Sequence, residues 1–161
     1  MNIKKSTIEN LDDIMEVYAY AREQMKKNGN PTQWGNSNPT RIMIEKDIQN
    51  ENNYIIEENG VIYGVFSFII GEDETYQHIK GSWLNDKEYG TIHRVASNGI
   101  RTGIFELCLS FCETKISNIR VDTHNDNKIM QYLLEKHGYQ KCGIIYVKDG
   151  SPRIAYQKCT N

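Results

Sequence analysis

The stretch Gly90-Thr91-Ile92-His93-Arg94-Val95-Ala96-Ser97-Asn98-Gly99-Ile100-Arg101-Thr102-Gly103 decides how this chain folds. Its first eight residues read as a strand, Asn98 to Gly103 is turn chemistry, and an apolar helical run carrying Phe105, Leu107, Leu109 and Phe111 begins near Ile104. A further strand follows from Asn118 to Thr123. A strand, a helix and a strand joined by so long a connection imply a parallel pair, so the strands ending at Ser97 and Thr123 should lie side by side or nearly so in a mixed sheet. The loop between them leads from the carboxyl end of a strand to the amino end of a helix, where free N–H groups and the helix dipole favour a phosphate. Gly99 and Gly103 let the backbone approach such an anion and Arg101 adds a cation. A plain tight turn explains the same residues, and the loop matches neither the nucleotide P-loop nor a dinucleotide glycine fingerprint.

Working outward, Tyr54 to Glu58, then Asn59-Gly60, then Val61 to Ile70 form the strongest hairpin signal, because Asn-Gly suits a tight turn that follows strand twist. A short strand near Asn2 to Ser6 precedes a helix that Asn10 can cap, with Leu11, Ile14, Tyr18, Ala21 and Met25 at helical spacing and Gly29 as its stop. Asn30 to Pro39 is turn chemistry around Trp34, and Thr40 can cap a second helix carrying Ile44 and Ile48. The polar stretch from Gly71 to Lys87, broken by Tyr76 and Trp83, reads as a surface excursion. Beyond Thr123 come a helix from Asn127 to His137 and strands from Tyr139 to Val147 and from Arg153 to Gln157.

A chain of 161 residues with 39% hydrophobic and 25% charged residues is expected to form one domain, residues 1–161, around one core. A net charge of -2, with no Lys/Arg stripe, argues against a nucleic-acid partner. The amino-terminal residues run into Glu9, Asn10 and Asp12 rather than an apolar signal, and no apolar run is long enough to span a membrane, so a cytoplasmic protein is expected. Cys108 and Cys112 share a helix face, yet their apolar neighbours mark them, with Cys142 and Cys159, as reduced core or near-core thiols rather than metal ligands; no metal is expected.

The order β-α-α-β-β-β-α-β-α-β-β resembles that of the Gcn5-related N-acetyltransferase (GNAT) superfamily over nearly the whole chain, an α/β fold with an α+β mixed sheet. The residues carrying the resemblance are His93-Arg94-Val95-Ala96-Ser97 with the glycine loop, and Arg120-Val121-Asp122-Thr123-His124-Asn125-Asp126-Asn127-Lys128-Ile129-Met130 running on to Lys136-His137-Gly138-Tyr139. The resemblance implies acetyl transfer from acetyl-CoA to an amine without metal. It further implies that Val95, Ala96 and Ser97 face the pantetheine arm where two parallel strands splay, that Asn98, Gly99, Arg101, Thr102 and Gly103 lie around the pyrophosphate, and that Asn127 touches the cofactor. A plain helix cap accounts equally for Asn127.

Two departures from the family pattern stand out. Only the last of the six phosphate-loop positions, Gly103, matches, and Arg101 stands where bare backbone is usual. The tyrosine that protonates the departing thiolate in many members falls at Leu134 here, and Tyr132 points about 200° away around the helix. A thiol with a reference pKa of about 8.5 leaves with little help, whereas a primary ammonium near pKa 10 must first lose a proton. His93, three residues before Ala96, is the expected base, with a hydrogen-bonded structural histidine as its alternative; His124 is the reserve, with a turn role as its alternative. His78 and His137 read as exposed bystanders. The architecture implied by the resemblance points to Trp34, Tyr18, Trp83 and Tyr54 around the acceptor. The acceptor is expected to be a small-molecule primary amine; homodimers are common in such families, but no residue here forces one. The rival readings are a non-catalytic acyl-CoA sensor or interaction module, and a transferase acting on protein N-termini or lysines.

Overall fold

The computed structural model describes residues 1–160. Strands β1 (Asn2–Lys5), β2 (Asn53–Glu58), β3 (Val61–Ile70), β4 (Lys80–Gly81), β5 (Gly90–Ser97), β6 (Asn118–Thr123), β7 (Gln140–Tyr146) and β8 (Pro152–Cys159) form one sheet in the order β1-β2-β3-β5-β6-β8-β7-β4. Helices α1 (Leu11–Lys27), α2 (Arg41–Gln49), α3 (Ile104–Lys115) and α4 (Lys128–Lys136) cover it. The β5–β6 pair is parallel and its neighbours are antiparallel, which bears out the mixed sheet.

Side chains alternate across a strand, so each strand feeds two layers. Ile56, Phe66 and Ile92 bury against Ile104, Phe105, Cys108 and Leu134 of α3 and α4, while Ile55, Ile62, Val65 and Ala96 bury against Ile14, Tyr18 and Ile44 of α1 and α2. Asn59 and Gly60 have φ of 52° and 79°, the left-handed pair that a two-residue hairpin turn requires. Thr40 caps α2 through the Met43 N–H. Cys108 and Cys112 are buried in the core, Cys142 and Cys159 are half-buried, and all four are unpaired.

Three expectations are corrected. Asn10 does not cap α1; it is already helical, and its carboxamide accepts the Thr7 N–H at 2.8 Å, so the helix is entered one turn earlier through a short 3-10 segment, Ile8–Asn10. The Gly71-to-Lys87 stretch is not a surface excursion. It contains β4 and buries Tyr76 beside Trp83 and Tyr89, closing the far end of the sheet with a third apolar cluster. His137 is not exposed: its Nε2 is buried without a partner. Among the described residues, no helix is long and apolar enough to cross a membrane.

Candidate active site

The site grows from an irregularity in β5. Between the pairs Val65–Ala96 and Ser67–His93, the single residue Phe66 of β3 stands opposite both Arg94 and Val95, a β-bulge. Arg94 takes φ of 53°, a left-handed conformation that costs a residue with a Cβ about 1–2 kcal/mol. The surroundings hold it there. Tyr18 Oη donates to the Arg94 carbonyl at 2.7 Å, and the Arg94 guanidinium grips Asp47 Oδ2 at 2.7 and 2.9 Å. Asp47 also accepts from the Ser67 hydroxyl at 2.6 Å, and Ser67 in turn accepts from Asn53. A buried polar string thus runs from the β2–β3 pair to the bulge.

The bulge has a consequence for the neighbouring strand. Parallel pairing of β5 with β6 is confined to Gly90–Ile119 and Thr91–Arg120, so beyond Thr91 the two strands part. Two cavities open beside β5 and adjoin at consecutive residues. A cleft of about 350 Å³ is lined by Val95, Ala96, Ser97 and Gly99 together with α1 and the start of α4 at Asp126 to Ile129. A cavity of about 570 Å³ is lined by Ile92, His93 and Arg94 together with Trp34, Asp73, Asp122 and Arg153. Gln33 belongs to the second cavity and accepts hydrogen bonds from Asn30 at 2.8 Å and Asn127 at 3.1 Å, both of which border the first. That amide cluster is a shared wall.

At the cleft, Gly99 has φ of 77° and lies so near the Tyr20 hydroxyl that a Cβ would come within 2.5 Å of it. The Ser97 hydroxyl accepts the Gly99 N–H and the Asn98 carboxamide accepts the Ile100 N–H, which shapes the loop. Gly103, left-handed at φ 79°, opens α3 without a side-chain cap, in contrast to α2 and α4. First-turn N–H groups without a capping side chain suit an anion, although of this loop only Gly99 lines the cleft, while Asn98 and Ile100 line a separate cavity on the other side of Tyr20. Thr102 is exposed beside those N–H groups. Arg101 does not serve the cleft: its guanidinium pairs with Glu58 at 2.9 Å and stacks 4.6 Å from the centre of the Tyr63 ring. Asn127 caps α4 through the Met130 N–H at 3.0 Å and borders the cleft.

In the second cavity, His93 Nε2 lies 3.1 Å from Asp73 Oδ2. Burial opposes ionisation of Asp73, but hydrogen bonds from His93 and Thr75 outweigh it and hold the carboxyl well below the usual carboxylate range. An ionised Asp73 accepts the Nε2 proton and leaves Nδ1 of a neutral ring as the basic nitrogen. His124 is engaged elsewhere. Its Nδ1 accepts the Asp126 N–H at 2.9 Å, which directs its Nε2 proton to the Thr32 hydroxyl at 3.1 Å, so it serves the turn and borders neither cavity.

Of the four aromatics, Trp34 lines the second cavity. Tyr18 stands behind it, edge-on with ring centres 5.7 Å apart, but is wholly buried; burial raises its hydroxyl pKa, and it acts as the donor that holds the bulge rather than as a cavity wall. Trp83 and Tyr54 lie away from both cavities. Trp83 packs on Tyr76 and Arg120, and Tyr54 stacks on Phe66 against Phe111 on the α3 face, because its strand position points it there. Leu134 is fully buried in the core, and Tyr132 is exposed, so neither supplies an acid. Asp47, Asp73, Asp122 and Arg153 do not stand out as site residues in the sequence because each is an ordinary polar residue in its own segment, and nothing in the sequence marks the Arg94 backbone as left-handed. Among the described residues, no group of three or more His, Cys, Asp or Glu side chains could hold a metal.

No protein-family model matches the chain. No curated protein matches it. Solved structures do. An acetyltransferase of the GNAT family from Streptococcus agalactiae 2603 is 33% identical, covers 99% of this chain and 95% of its own, and superposes with a TM-score of 0.87. A protein from Staphylococcus aureus Mu50 classed as an acetyltransferase is 25% identical over 99% of each chain, with a TM-score of 0.72. A ribosomal-protein-alanine N-acetyltransferase from Brucella melitensis, 19% identical over 99% of this chain and 100% of its own with a TM-score of 0.61, shares the fold alone.

Proposed function

This chain belongs to the GNAT family of acetyltransferases, and we propose that it moves the acetyl group of acetyl-CoA directly onto the primary amine of a small molecule. The observation that carries the reading is the adjacency of the two cavities along β5, Val95 to Ser97 facing one and Ile92 to Arg94 the other. A donor in the first and an acceptor in the second would meet at the bulge.

In this reading Asn98, Gly99, Thr102, Gly103 and the uncapped start of α3 take the diphosphate, and the peptide groups of Val95, Ala96 and Ser97, left without a β6 partner, take the pantetheine arm and the thioester oxygen. Trp34 and the His93–Asp73 pair bound the acceptor. The ammonium first gives a proton to His93 Nδ1, directly or through water. The neutral amine nitrogen then bonds to the thioester carbon and the C–S bond breaks. The new amide nitrogen releases its second proton to solvent, and the thiolate takes a proton from solvent, since Leu134 offers none. A positioned base contributes about 10²- to 10⁴-fold. What supports a small acceptor is that Trp34, with Asp73 and Thr75 of the Gly71-to-Lys87 segment, lines the second cavity.

Calorimetry with acetyl-CoA, followed by thiol release against an amine panel for the native chain and His93→Ala, tests this. The expected result is binding in both, with turnover at least tenfold lower in the variant. Binding without turnover on any amine would favour an acyl-CoA sensor, and absence of binding would remove the reading altogether.

A further inference from the structure

Arg153 is the least explained charge in the acceptor cavity. It opens β8 opposite Ile145, just past the level at which β6 ends, and is only 8% exposed. A guanidinium has five N–H donors, and among the described residues the hydrogen bond of this one is to the Pro152 carbonyl, at 3.0 Å. Arg94 is held by Asp47, and Arg120 lies 3.9 and 4.1 Å from the centres of the Tyr89 and Trp83 rings and donates to the Asn85 carbonyl. Arg153 makes no ion pair among the described residues; its charge acidifies Asp149 only through space, so its remaining N–H donors stand free to meet an anion that enters the cavity.

The carboxylates around the same cavity are engaged with other partners. Asp73 accepts from His93 and Thr75, Asp122 from the Tyr76 hydroxyl at 2.6 Å, and Asp149 from the Ser151 N–H at 2.9 Å. Their negative field disfavours a purely anionic guest, while Lys148 is exposed at the rim. A guest with a cationic end toward the Asp73–His93 side and a carboxylate toward Arg153 satisfies both. We propose that the acceptor is an amine that also carries a carboxylate, of free amino-acid size, and that Arg153 clamps the carboxylate in the two-pronged geometry that guanidinium and carboxylate share. The assignment rests on the acceptor reading of this cavity and names its substrate class. A cavity of about 570 Å³ accommodates such a molecule.

The test compares apolar, acidic and basic L-amino acids, each against its α-amide, in the thiol-release assay, and the N-acetylated forms of the same pairs by calorimetry, where no turnover is needed. For at least one amino acid, the native chain should prefer the free acid by at least tenfold in kcat/KM, and bind the N-acetyl acid at least tenfold tighter than its amide. In Arg153→Gln both preferences should fall below threefold; Arg153→Lys, which keeps the charge but not the fork, should fall between. Amides and acids used and bound equally by the native chain would overturn the clamp and leave the transferase standing. A preference that survives Arg153→Gln would also overturn it. Arg153-dependent binding of N-acetyl acids without transfer to any amine would support the anion site and overturn the transferase.

Discussion

Tyr18 Oη donates to the carbonyl of Arg94 at 2.7 Å, across 76 residues of sequence. One wholly buried phenol on α1 therefore anchors the left-handed residue of β5, which lies three residues beyond Thr91, the last residue of β5 to pair with β6.

Tyr18→Phe keeps the ring and removes that donor. The Arg94 carbonyl is then left short of a partner, and urea unfolding should show a loss of about 1–3 kcal/mol. Because the bulge relaxes toward a regular strand, calorimetric acetyl-CoA affinity should weaken as well. Loss of stability with unchanged affinity would separate the bulge from the cleft.

Asp73→Asn should lower turnover at least tenfold while leaving acetyl-CoA affinity unchanged, since the carboxylate orients the His93 ring from outside the cleft. It also predicts a change in acid stability. The folded carboxyl titrates below its unfolded value of about 3.9, so its contribution is fully present above that pH and is lost as pH falls through the lower, folded value. Thermal melts between about pH 6 and pH 2 should therefore fall less steeply in the variant.

Asn127 has two separable jobs, capping α4 through its oxygen and reaching Gln33 through its nitrogen. Asn127→Ala loses both and should cost about 1 kcal/mol. Asn127→Asp keeps the cap and loses the amide donor, so its melting temperature should stay near native while KM for the acceptor rises. Equal KM values in the native chain and Asn127→Asp would show that the shared wall does not need this bond.

Leu134→Tyr restores the residue type that many family members carry at this position, but into a site with no exposure at all. Overpacking should cost about 1–3 kcal/mol, and kcat should not rise, because the added hydroxyl enters the core against α3. A rise in kcat would show that the cleft reaches this side chain.

The sequence was most legible where physics is local. Asn59-Gly60 dictated its hairpin because only a few residue types tolerate two left-handed positions in a row, and Thr40 marked the start of α2 through a bond three residues away. The strand, glycine loop and helix from Gly90 onward announced a parallel pair and the glycine turn that opens α3. His93 and Trp34 were legible as candidates by residue type and position. The segment holding Asp73 was misread because its polarity hides Tyr76, whose burial depends on Tyr89 and Ile145, distant in sequence.

By itself, then, the sequence determined the order of every helix and strand except β4, the mixed sheet and the loop that precedes α3, since capping, turn chemistry and side-chain period act over a few residues. Tertiary structure alone decided which polar groups meet. Asp73 reaches His93, Asp47 holds Arg94 against its conformational preference, Arg101 turns away to Glu58, and Arg153 is left without an ion pair among the described residues. Those outcomes depend on side chains 20 to 47 residues apart being packed into one volume, and on the burial that makes an unpaired charge costly, neither of which is encoded in local spacing.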